Sequence, residues 1–311
     1  MNSSGDWVAA STRAVGLVGR RLGTNGALEL ASSPSTQAAM RLLAASSYRR
    51  AIETAPSGPA AGRAVDNVAL WHLRVLNGWA PGVGTAVLKV LAGRFEIENL
   101  VDRFRRFRGA ETEAPFVLGS LATTWRQAAA AGGPAEVRRI LQRSAWGDPG
   151  GDEPAAVRLG LDLAWARRLS RVAPEHSSWA PSFSALTFAK AVASGGAATL
   201  AESPREDAAL LLGEAALHAG SLGELRERVP PRARFVLEAA GEDGALWRAE
   251  TAWWRRVDLE ALALVLGPLP GPTSVLAAGM ALLCDARRVR GALELAALGG
   301  RTPGEATDVV A

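Results

Sequence analysis

Phe95-Glu96-Ile97-Glu98-Asn99-Leu100-Val101-Asp102-Arg103-Phe104-Arg105-Arg106-Phe107-Arg108 reads as one amphipathic helix. Ile97, Leu100, Val101, Phe104 and Phe107 fall on a single stripe at helical spacing, which marks the face that a helix turns toward a core. Glu96 and Glu98 stand in its first turn and four arginines follow toward its end, an order that complements the helix macrodipole. Gly109 stops it. Asp102 and Arg106 are spaced for a surface ion pair.

Outward from this segment the same plan recurs. Trp79-Ala80-Pro81 returns as Trp179-Ala180-Pro181, and Pro81-Gly82-Val83-Gly84-Thr85-Ala86-Val87-Leu88 resembles Pro270-Gly271-Pro272-Thr273-Ser274-Val275-Leu276. Each turn follows a Trp-bearing helix, with Trp71, then Trp165, then Trp253 and Trp254. Each precedes an apolar helix, and the first and last copies continue into charged helices, Phe95 to Gly109 and Asp285 to Gly299. A period of roughly 90–100 residues exceeds the 20–50 of a solenoid repeat and fits duplicated domains. The expected division is into three helical domains, 1–112, 113–203 and 204–311.

Helix signals run along the rest of the chain, while two-residue alternation is nearly absent. Ser33-Pro34 is expected to open a helix reaching Ile52, with Ser33 as N-cap. Ser203-Pro204-Arg205-Glu206 has the form of a capping box. Ala261–Cys284 carries no charge and has the length of a membrane span, but Gly267, Pro268, Pro270, Gly271 and Pro272 break it, so two buried helices joined by a loop are predicted. Ala and Leu dominate the apolar residues, which make up 48% of the 311, and both are strong helix formers. The fold class is all-α.

Composition also narrows function. A net charge of +4 is small for this length, and acids nearly balance bases, so a nucleic-acid footprint is not indicated. One cysteine, Cys284, rules out an internal disulfide framework. The opening Met1–Asp6 has neither a basic n-region nor an apolar stretch, so no signal peptide is expected.

No constellation of catalytic residues stands out. Gly82-Val83-Gly84 lacks the third glycine and the preceding strand of a dinucleotide turn. His72, His176 and His218 are far apart, with no two at metal-ligand spacing. His72 reads as a core or interface histidine and His218 as a helix-end histidine; Cys284 reads as a buried structural thiol. Thr187-Phe188-Ala189-Lys190 has the spacing of a nucleophile–lysine pair without any companion motif. No catalytic residue, cofactor or metal is assigned. The ten tryptophans are spaced as core anchors, some of them available to a partner, and at least one of Trp253 and Trp254 is expected near a surface or domain junction.

Diffuse motifs over nearly the whole chain resemble the C/d-subunit family of rotary V/A-type (vacuolar/archaeal-type) ATPases. Ser11-Thr12-Arg13-Ala14-Val15 is similar to the family's opening Arg-containing helix, and Ala39 to Tyr48 to its helix ending in a small residue and tyrosine. Phe95-Glu96-Ile97-Glu98-Asn99-Leu100, closing at Arg106 to Gly109, is the best match. Glu250 and Asp285-Ala286-Arg287-Arg288-Val289-Arg290 echo it near the end, with Arg288-Val289 in place of the usual Asn-Leu. The middle copy has neither the acid nor the asparagine. The positions that carry the resemblance are Arg13, Tyr48, Glu98, Asn99, Glu250 and Asp285.

The resemblance implies three pseudo-threefold-related domains forming a funnel. It also implies a non-catalytic rotor part on the cytoplasmic face of the membrane, coupling the central shaft to the proteolipid rotor ring. Such a part touches a membrane protein ring, has no transmembrane span of its own and takes no small-molecule substrate. The alternative is a helical-repeat interaction scaffold outside any ATPase.

Overall fold

The computed structural model describes residues 4–54, 59–174, 177–241, 244–267 and 270–299; among them every regular element is helical and there is no strand. His176 and Pro268 lie outside the described residues. The chain runs through α1 (Val8–Val18), α2 (Gly23–Ala31), α3 (Thr36–Ala44), α4 (Arg49–Thr54) and α5 (Pro59–Trp79) into α6 (Gly84–Phe107). Next come α7 (Trp125–Ala130), α8 (Pro134–Gln142), α9 (Pro154–Ser170) and α10 (Trp179–Ala193). Then α11 (Glu202–Leu212), α12 (Glu214–Leu217), α13 (Leu222–Arg228) and α14 (Pro231–Ala239) lead to α15 (Leu246–Val265) and α16 (Pro272–Ala297).

Two compact units result, and their boundaries fall inside α6 and α15, not in loops. The first joins the residues up to Leu88 with those from Trp254 onward; the second is Lys89–Trp253. In the first, α16 is the central element: α1, α2, α3 and α5 all pack on it, and the run Ser274–Ala286 is buried throughout. In the second, α9, α10, α11 and α14 form the packed core. Its aromatic centre is Trp165, Phe183 and Trp253, with ring centroids 4.8–6.4 Å apart. Both indole N–H groups there are satisfied by backbone, Trp165 donating to the Val90 carbonyl at 2.7 Å and Trp253 to that of Trp179 at 3.1 Å.

Several sequence expectations are revised. The charged segment from Phe95 does not begin a helix but continues the apolar one, so α6 runs unbroken from Gly84 and Glu96 and Glu98 lie in its middle. Asp285 likewise sits inside α16. No Gly or Pro separates the halves except Gly93, which a helix tolerates, and Gly93 faces Trp146 and Trp165 too closely for a Cβ to fit easily. The helix expected from Ser33 starts later, capped by Ser35, and breaks after Ala44. The capping box at Ser203 does not form, because α11 already begins at Glu202. Asp102 pairs with Arg105 at 3.0 Å, while Arg106 reaches Thr112 and the Glu113 carbonyl.

The Trp-Ala-Pro copies also differ in structure. Trp79 is the last residue of α5 and 52% exposed, whereas Trp179 is the first residue of α10 and fully buried. Proline is accepted in a first helical turn, where its missing N–H has no intrahelical partner anyway, so Pro181 starts a helix where Pro81 separates two. Five of the ten tryptophans are buried, and Trp71, Trp79 and Trp247 are exposed. The boundary between units falls between Trp253, buried, and Trp254, half-buried. The uncharged stretch from Ala261 does split into α15 and α16, and no helix among the described residues is long and apolar enough to cross a membrane.

Candidate functional site

Helix α2 lacks a local cap: Leu22 precedes it and has no side-chain acceptor to offer. Its first amides are answered from α16. The Asp285 carboxylate, 1% exposed, accepts Leu22 N–H at 3.0 Å on Oδ2 and Gly23 N–H at 2.8 Å on Oδ1. Leu22, with φ −66° and ψ −38°, aims the two successive amides the same way, and Gly23 has φ +69°, a left-handed conformation that suits glycine. Oδ2 also accepts the Tyr48 hydroxyl at 2.9 Å. Burial first, and then the neighbouring Asp285 charge, raise the Tyr48 hydroxyl well above the usual tyrosine range, so it stays a donor.

The charge is balanced locally. Arg288, one turn along α16, stands 3.9 Å from Asp285 and donates to Asp258 at 2.9 Å; Arg21 donates to the other Asp258 oxygen at 2.8 Å. Two guanidiniums and two carboxylates thus alternate through the buried centre of the first unit. Such a network is costly to break on one side, because the remaining partner is left as an uncompensated buried charge.

The second unit repeats the device. α7 also lacks a local side-chain cap, and its amides are answered from α6. Glu96, fully buried, accepts Thr123, Thr124 and Trp125 N–H at 2.9, 2.7 and 2.7 Å on Oε1, and the Trp146 indole N–H at 3.3 Å on Oε2. Arg168 supplies the countercharge from α9, with its guanidinium 4.2 Å over the Trp146 ring and donating to Thr123 Oγ1 at 3.1 Å. Burial lowers the Arg168 pKa to about 10, still cationic at neutral pH.

Even the approach to each aromatic donor is shared. Ser46 donates to the Leu43 carbonyl and accepts Tyr48 N–H; Ser144 donates to Leu141 and accepts Trp146 N–H. Behind this lies a spacing legible in the sequence, Arg41-Leu42-Leu43-x-x-Ser46-x-Tyr48 against Arg139-Ile140-Leu141-x-x-Ser144-x-Trp146. A third pair of short helices, α12 and α13, packs near α10 in the second unit. There Ser221 caps Glu224 N–H at 3.2 Å, but α10 contains no acid to play the part of Asp285 or Glu96.

Of the six positions singled out by sequence, the structure brings Tyr48 and Asp285 together and the others elsewhere. Asn99, 1% exposed, pairs with both backbone groups of Phe116 at 2.9 and 2.7 Å and fixes the extended segment after α6. Glu98 meets Arg158 in a two-pronged pair, Glu250 meets Lys190 at 3.0 Å, and Arg13 lies 5.6 Å from the Trp79 ring centre. Sequence does not single out Glu96, Trp146, Asp258 or Arg21 as site residues. Glu96 is nonetheless discoverable, since it stands four residues before Leu100 and eight before Phe104, on the buried stripe itself.

The remaining reactive candidates are accounted for. Cys284 is buried and its thiol pushed up by burial. His72 is 7% exposed and its pKa lowered to about 4, chiefly by burial and then by Arg50. His218 forms the C-cap of α12. Thr187 and Lys190 line one groove of about 380 Å³, where the lysine is engaged by Glu250. Among the described residues no group of three His, Cys, Asp or Glu could hold a metal. No protein-family model matches the chain, and no curated protein matches it.

Proposed function

We propose that the protein is a non-catalytic coupling part of a V/A-type rotary ATPase, seated between the membrane rotor ring and the central shaft and passing torque without making or breaking a bond. The observation that carries this reading is the repeated carboxylate-capped helix pair at Asp285 and Glu96, within the elements where the family resemblance is strongest. The third helix pair supports a pseudo-threefold, funnel-like plan. The mechanics suit the role, because a torque-bearing part needs helices held at fixed angles. A buried acid bonded to several backbone amides adds directional, charge-assisted restraint to non-directional packing.

The partners would be the proteolipid ring and the shaft, with the protein held at the membrane only through the ring. Affinity purification from detergent-solubilised membranes tests this, with co-purification of ring and shaft proteins expected. Finding the protein wholly outside the membrane fraction, in cells whose rotary ATPase assembles without it, overturns the reading. One feature favours an interaction scaffold instead, the absence of an acid from α10 at the third helix pair. That alternative gains if the protein is recovered with soluble partners only.

A further inference from the structure

We propose that the exposed face of α1 in the first unit is a docking seat for an acidic helix of a protein partner, whether or not the chain belongs to a rotor. A groove of about 380 Å³ runs along α1, walled by the Trp79 ring at the end of α5. Its floor on α1 is made of small side chains, Ala9, Thr12 and Gly16. A Cβ placed on Gly16 would meet nothing within 4 Å, so the helix carries an open notch there. Trp79 leaves 52% of its surface exposed beside it, so much of the indole is open to a partner.

The rim is cationic. Arg13 and Arg20 both line the groove and both are exposed, and neither has a carboxylate partner among the described residues; no acid lines the groove. Arg21, the next residue, is by contrast committed to Asp258. Arg13 stacks toward Trp79, which holds its guanidinium at the groove edge. Arg13 lies on α1, and Arg20 follows in the turn just past its end. An acidic partner helix offers a carboxylate to each of the two arginines, and an apolar side chain between its acids enters the notch at Gly16 against Trp79. Trp and Arg are the residue types that carry most binding energy at protein interfaces. The seat is concave and holds two cations, whereas an anionic membrane surface is met by a flat or convex cluster of about 4–8 basic residues.

The test uses the full chain and a fluorescein-labelled synthetic helical peptide of three heptads, with glutamate at every seventh position and leucine facing the same side. A second peptide carries lysine in place of glutamate. Fluorescence anisotropy should show saturable binding of the glutamate peptide only. Arg13→Glu with Arg20→Glu should weaken it about tenfold or more and transfer preference to the lysine peptide. Gly16→Leu fills the notch in open space at a helical position, so circular dichroism should be unchanged while binding is lost. Any of three results overturns the proposal: no binding of the glutamate peptide, binding insensitive to these substitutions, or displacement of the peptide by phosphatidylglycerol vesicles.

Discussion

Asp285→Asn keeps the shape of the side chain and removes one acceptor. Asp285 Oδ1 holds Gly23 N–H and Oδ2 holds Leu22 N–H with the Tyr48 hydroxyl. Whichever way the new amide turns, its NH2 faces one of the two backbone donors, and that N–H loses its partner. Tyr48 keeps a partner either way, since a hydroxyl can also accept. An orphaned buried donor costs about 1–3 kcal/mol, and weakening the surviving bond from charged to neutral costs about 1 kcal/mol more. Arg288 also loses the Asp285 charge that stands 3.9 Å from it. The total is about 3 kcal/mol, equivalent to about a hundredfold in an opening equilibrium. Native-state hydrogen exchange reads this locally: protection at Leu22 and Gly23 should fall about a hundredfold, while amides of Lys89–Trp253 far from it keep theirs. Glu294→Gln, exposed on the same helix, should change stability by no more than about 0.5 kcal/mol. A loss below about 1 kcal/mol for Asp285→Asn would refute the claim that this carboxylate holds α2.

Glu96→Ala should do the same in the second unit, removing protection at Thr123, Thr124 and Trp125 by at least a similar factor, because all three amides bond the one Glu96 oxygen. Gly160→Ala should destabilise that unit by more than about 2 kcal/mol in urea titration, because a Cβ there lies 2.1 Å from the Pro149 carbonyl oxygen and backbone must move. His72 titrates near pH 4 when folded and near 6.5 when unfolded, so the unfolded chain binds the proton first. Its contribution is complete above pH 6.5 and falls by up to about 3 kcal/mol as pH drops toward 4; His72→Phe should flatten that part of the stability–pH curve. Cys284 should react with a thiol reagent only as fast as the first unit opens, so its rate should rise in Asp285→Asn and not in Glu96→Ala.

The helices themselves are legible in the sequence, because their signals are local: apolar stripes at helical spacing, and prolines that separate α15 from α16. The junctions are not. A missing N-cap at Leu22 is an absence, and nothing near it says that the acceptor lies on α16. Tyr48 and Asp285 each stand out, but no periodicity connects them. Glu98 stands out ahead of Glu96 although the two point in different directions on one helix, and only Glu96 shares the side of Leu100 and Phe104. The start of α6 is hidden for a related reason. A buried acid in mid-helix looks like an N-terminal acid when the apolar turns before it are read as a separate helix.

The carboxylate on α16 has a consequence for how the chain is made. Gly23 and its acceptor are 262 residues apart, and α2 is too short to persist unaided in water. At ribosomal rates of about 5–20 residues per second, its cap arrives about 13–50 s after the helix has been synthesised. The second unit is continuous and can complete itself in that interval. The newborn amino-terminal segment must therefore wait, with the apolar faces of α1, α2 and α5 unmatched, until the last long helix emerges to close over them.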